Sequence, residues 1–93
     1  MLAAHLLPVL ETLRKAFPQG VPPSDYMPLL VVLRDGLSEE DLAAVVAELM
    51  DSEIVIVDND AAVAVSSRRP PDVEVRRVRG QLSRVGWMPD ELP

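Results

Sequence analysis

A chain of 93 residues with net charge −6, one His and no Cys has no room for a second core, cannot form a disulfide or thiolate metal site, and cannot build a His-rich one. Its apolar fraction of 48% is nearly all Val, Leu and Ala, so one small aliphatic core is expected across 1–93, with surplus apolar surface of the kind small domains hide against a copy of themselves. Residues 1–67 carry three basic and eleven acidic side chains, whereas 68–85 carry six Arg against Asp72 and Glu74, which argues against nucleic-acid binding by the whole surface and concentrates basic charge in one late segment.

Leu2, Leu6, Val9, Leu10, Leu13 and Phe17 recur at the spacing of one helical face and predict a first amphipathic helix over 2–17. Pro8 lies inside that pattern and lacks a backbone donor, so the helix kinks there or properly begins near it with a loose first turn. No Lys or Arg precedes the apolar stretch, no small-residue cleavage site follows it, and no run reaches the roughly 18 apolar residues of a membrane span. A cytoplasmic protein without a membrane segment is expected. His5 has no partner set around it in the sequence and is expected at the surface, since a general base needs a partner and a pocket.

The run "FPQGVPPSDYM" from Phe17 to Met27 reads as a stiff corner. Pro18 and Gly20 stop the first helix, Pro22 and Pro23 stiffen the link, and Ser24 or Asp25 caps a second helix over 24–35. Pro28 falls within about one turn of either cap, Tyr26, Leu29, Leu30 and Leu33 form the buried face, and Gly36 is the expected left-handed terminator. "LSEEDL" at 37–42 is the clearest local signal: Ser38 caps, Asp41 stands at the reciprocal position of a capping box, and Leu37 and Leu42 occupy the positions of a hydrophobic staple. The helix it starts, 38–50, should bury Leu42, Val45, Val46, Leu49 and Met50.

The stretch 53–67, "EIVIVDNDAAVAVSS", supports two readings on local rules. One is a β-hairpin at 54–65 turning at "DND". The other is an extended 54–57 followed by a helix capped by Asp58 or Asp60, with Ala61 to Ser67 as its body. Beyond "RRPPD", Asp72 caps a last helix with Val75, Val78, Leu82 and Val85 inward, closed by Gly86 and followed by a tail led by the only Trp, Trp87.

The run "PQGVPPSDYMPLLVVL" from Pro18 to Leu33, "LSEEDL" at 37–42, and the spacing Val75, Val78, Arg79, Leu82, Gly86, Trp87 together resemble a family of small actinobacterial proteins, the domain of unknown function numbered thirty-three forty-nine. The resemblance implies a compact all-α bundle of about five short helices, which moves 58–67 to helix and leaves a short extended segment near 54–57. It assigns no catalytic or cofactor residue. The Val- and Ala-rich stretch 54–65 departs from the family pattern.

The alternative architecture is a winged helix-turn-helix, with helices 24–35 and 38–50 around the turn at Gly36 and the hairpin 54–65 as wing. The charges oppose it, because the helix that would enter a groove carries Glu39, Glu40, Asp41, Glu48 and Asp51 with no Lys or Arg. Any phosphate or acidic partner would be held by Arg68, Arg69, Arg76, Arg77 and Arg84, unless these solvate a face that balances the acidic helix 38–51. "DND" lacks the Gly and closing Glu of a calcium loop. The expected function is therefore a non-enzymatic protein interaction module without cofactor or metal, binding another protein or itself, with Asp25, Tyr26 and Trp87 as candidate interface anchors. A nucleic-acid-binding regulator using the Arg-rich last helix is the alternative.

Overall fold

In the computed structural model, described over residues 2–87, a 3-10 turn at Ala4–Leu6 leads into five helices: α1 (Leu7–Ala16), α2 (Pro23–Arg34), α3 (Glu39–Met50), α4 (Ile54–Ala64) and α5 (Asp72–Ser83). No strand occurs among the described residues. The all-α bundle of five short helices is thus present, and the winged alternative falls with its hairpin.

Pro8 decides how the chain starts. It occupies the second position of α1, where an intrahelical donor is not needed, and the preceding residues close instead as the 3-10 turn. Leu6, Val9, Leu10, Leu13 and Phe17 are all buried, at the predicted spacing.

α2 is the centre of the bundle and packs against α3, α4 and α5. Its consecutive residues Leu29 to Leu33 are all buried, because neighbours surround it on more than one side. The expected caps are corrected here. Pro22 takes the N-cap position and Pro23 the first helical one, so Ser24 and Asp25 lie inside the helix and neither side chain caps. Pro28 consequently sits in the second turn, where its missing donor removes one bond to the Ser24 carbonyl. Gly36 is not left-handed either: α2 runs out through Asp35 at φ −69, and the N–H groups of Gly36 and Leu37 both return to the Leu33 carbonyl.

Ser38 caps α3 as predicted, its Oγ accepting the Asp41 N–H at 3.2 Å. The Asp41 carboxylate lies 3.4 Å from His5 Nε2 on the surface, a long hydrogen bond in which the imidazole donates. Leu42, Val45 and Val46 are buried and Leu49 is partly so, but Met50 is 37% exposed. Ala43 and Ala47 turn inward instead, because α3 packs against α1 as well as α4 and small side chains let a second helix approach. α3 ends on Asp51 at φ +52, a conformation Asp tolerates, and the N–H groups of Asp51 and Ser52 both bond the Ala47 carbonyl.

α4 overturns both local readings of 53–67. The segment 54–57 is helical, not extended, and Asp58 and Asp60 lie within the helix, not at its cap. Tertiary packing explains the override. Val57, Ala61 and Ala64 fall at i, i+4 and i+7 and are the buried side chains of α4, and the two alanines allow close contact with α2 and α3. The helix also stops at Ala64, short of the predicted 67.

α5 begins as α2 does, with Pro71 at the N-cap and Asp72 already helical, which corrects the Asp72 cap. Val75, Val78 and Leu82 are buried and Val85 is partly so. Gly86 at φ +97 turns the chain so that the Trp87 N–H returns to the Leu82 carbonyl at 3.0 Å and its ring closes the end of the core. Gln81 Nε2 donates to the Ala16 carbonyl at 2.8 Å and ties α5 to the end of α1.

Candidate interaction surface

Two ion pairs tie α2 and its C-cap to α5. Asp25, 5% exposed, accepts a hydrogen bond from Arg77 Nη2 at 2.5 Å, and the same nitrogen donates to Glu74 at 2.6 Å. The bonds to Asp25 and then Glu74 raise the Arg77 pKa further, so the guanidinium is permanently charged. At the other end of α2, Arg79 donates to Asp35 at 2.5 Å. The Arg-rich helix therefore answers acids of α2 and its C-cap, and not the acidic helix α3.

The arginines divide accordingly. Arg77 and Arg79 are engaged with α2, and Arg69 stands 3.8 Å from Asp72. Arg68, Arg76 and Arg84 are exposed and have no ion-pair partner among the described residues. Arg69, Arg76 and Arg79 do line one depression with Asp72 and Val75, whereas Arg77 is drawn away to Asp25.

Of the three candidate anchors, Asp25 and Trp87 are buried, at 5% and 3% exposure, which leaves neither presented to a partner. Tyr26 is half-buried, and its hydroxyl donates to Asp60 Oδ2 of α4 at 2.7 Å. Its ring lines an open cleft of about 470 Å³ with Val21, Pro23, Met50, Ile56 and Asp60. Burial first, then the hydrogen bond and the negative charge of Asp60, push the Tyr26 pKa well above its ordinary 10.0. The sign follows directly. Below pH 10.0 the phenol is neutral in both folded and unfolded chains and its contribution is complete; above it the unfolded chain ionises first and the contribution is lost as pH rises. Because Tyr26 is the only Tyr, phenolate absorbance reports it alone. A titration should show native Tyr26 protonated beyond pH 10.0, with Asp60→Asn lowering the midpoint while burial keeps it above that value. A midpoint that Asp60→Asn leaves unchanged would mean that Tyr26 does not bond Asp60, and a native midpoint at 10.0 would mean that Tyr26 is not buried either.

The feature that sequence reasoning missed lies beside this cleft. Ile54, Val55 and Ile56 are 57%, 69% and 50% exposed and form an apolar ridge that wraps the outer side of the first turn of α4, with Ile56 on the flank of this cleft and Ile54 on the opposite one. The signal was present in outline: in "IVIVDNDAAVA" a helix needs only Val57, Ala61 and Ala64 inward, which leaves the other β-branched residues outside.

This is the geometry of a small all-α domain with a closed aliphatic core and one uncovered apolar helix turn. The family model described as "Protein of unknown function (DUF3349)" matches residues 4–91, and the chain belongs to that family. No curated protein and no solved structure matches it. Among the described residues no helix is long and apolar enough to cross a membrane, and no group of three or more His, Cys, Asp or Glu is placed to hold a metal ion.

Proposed function

We propose that the protein is a cytoplasmic, non-enzymatic interaction module that docks another protein on the apolar ridge at the start of α4. The observation that carries this reading is the exposure of Ile54, Val55 and Ile56 around the outer side of one helical turn, at 57%, 69% and 50%. The fold has no use for them outside, since Val57, Ala61 and Ala64 already bind α4 to the core. Full burial of such side chains contributes about 1.5–3 kcal/mol each, so covering the exposed fractions supplies a real part of a binding free energy. The cysteine-free composition fits a reducing compartment. Nucleic-acid binding by α5 has weaker support, because Arg69, Arg77 and Arg79 already face acids of the same chain.

Affinity capture from the source cell, run in parallel with native protein and Val55→Asn/Ile56→Asn, tests the proposal. A protein retained by the native chain and lost from the variant, with unchanged melting of the variant, is the expected result. Identical captures from both would overturn it, as would a salt-sensitive duplex DNA complex abolished by Arg76→Ala/Arg84→Ala.

A further inference from the structure

Resting on that docking reading, we infer that the partner offers an amphipathic helix whose apolar side is flanked by Lys or Arg, laid on the α4 ridge with a basic side chain entering the cleft beside Tyr26. Ile56 belongs to both ridge and cleft, so the ridge runs into the cleft on its Ile56 side, whereas Ile54 faces the opposite flank of α4. The cleft walls from Val21, Pro23, Met50 and Ile56 are apolar and suit the methylene stem of a long side chain. Its polar end is negative. Asp51 and Asp60 line it, and Asp51 ends α3, whose last turn holds no basic residue to answer the negative pole of the helix. No Lys or Arg occurs anywhere in 35–67, against nine Asp and Glu, so nothing in this part of the chain competes for the incoming cation.

The same charges argue against other occupants. A second copy docking α4 on α4 would set Glu53, Asp58 and Asp60 against themselves. The copy's own α5 is basic, but it offers one exposed apolar side chain, Val73 at 65%, against a ridge of three. An anionic membrane surface meets the same acidic rim.

The probe is a fluorescein-labelled peptide about five helical turns long with Leu on one face and Lys on its flanks, compared with its Leu/Glu counterpart by anisotropy at about 0.15 M salt. The Leu/Lys peptide should bind the native protein at least about tenfold more tightly than the Leu/Glu peptide, with affinity falling as salt rises. Val55→Asn/Ile56→Asn and Asp51→Asn/Asp60→Asn should each weaken it about tenfold while the melting curve shows both variants folded. Equal binding of the two peptides, both sensitive to Val55→Asn/Ile56→Asn, overturns the basic partner and leaves the docking ridge standing. Leu/Lys binding untouched by Val55→Asn/Ile56→Asn, or absent altogether, overturns this inference, and the first of these removes the ridge as well. A sedimenting dimer abolished by Val55→Asn/Ile56→Asn would make the occupant a second copy and also overturn it.

Discussion

Val57→Asp is expected to unfold the protein at room temperature, while Val55→Asp leaves the melting midpoint nearly unchanged. Val57 is fully buried and Val55 is 69% exposed, although two residues and the same chemistry separate them. At position 57 the new carboxylate would enter the aliphatic contact of α4 with α2 and α3, with no cation there to pair with it. Burying an unpaired charge costs several kcal/mol, and a domain of this size has a total stability at the low end of about 5–15 kcal/mol. At position 55 the carboxylate stays in water, where substitutions fall within about 0.5 kcal/mol. The pair also discriminates the architecture. In a strand, 55 and 57 share one face and the two substitutions would act alike; in a helix they are about 200° apart. Thermal melting followed by far-ultraviolet circular dichroism reads the outcome, and equal damage at both positions would return the segment to the hairpin.

Leu33→Ala is expected to destabilise the fold by about 2–5 kcal/mol. Leu33 shares full burial with Leu29 and Leu30 on α2, the helix that α3, α4 and α5 pack around, so these elements cannot all close on the cavity at once. At about 4–8 °C per kcal/mol for a domain of this length, the midpoint should fall by at least about 8 °C. Leu7→Ala is the contrast: Leu7 is 48% exposed, and its truncation creates no cavity. Urea unfolding can be read through Trp87, the only Trp, which lies at the end of the core after α5. Coincident curves from Trp87 emission and circular dichroism would show that α2 and the end of the bundle unfold together. A loss under about 1 kcal/mol would mean that the core around α2 is not closed as described.

Much of the helical frame is legible from local chemistry. The faces of α1 and α5, the Ser38 cap and the Gly86 turn each rest on neighbours within a few residues, and there sequence and structure agree. The errors cluster where two local rules compete. At 22–25 and 70–72 an acidic cap and a proline start were both available, and proline took the boundary; Asp25 was then free to turn inward toward Arg77. Gly36 had the composition of a left-handed terminator, but the chain continues through Asp35 in a right-handed turn and leaves that conformation to Asp51.

By itself, then, the sequence determined a single aliphatic core, the spacing of most buried faces, the concentration of arginine after residue 67 and membership of the family. These depend on periodicity, composition and short-range hydrogen bonding, which the order of residues specifies directly. Only the tertiary structure decided that Ile54 to Val57 are helical, that Arg77 and Arg79 answer Asp25 and Asp35, and that Ile54, Val55 and Ile56 stand exposed at the start of α4. The reason is physical. A run of β-branched residues favours a strand only until packing against α2 and α3 assigns an inward face, and that face is set by residues far away in the chain.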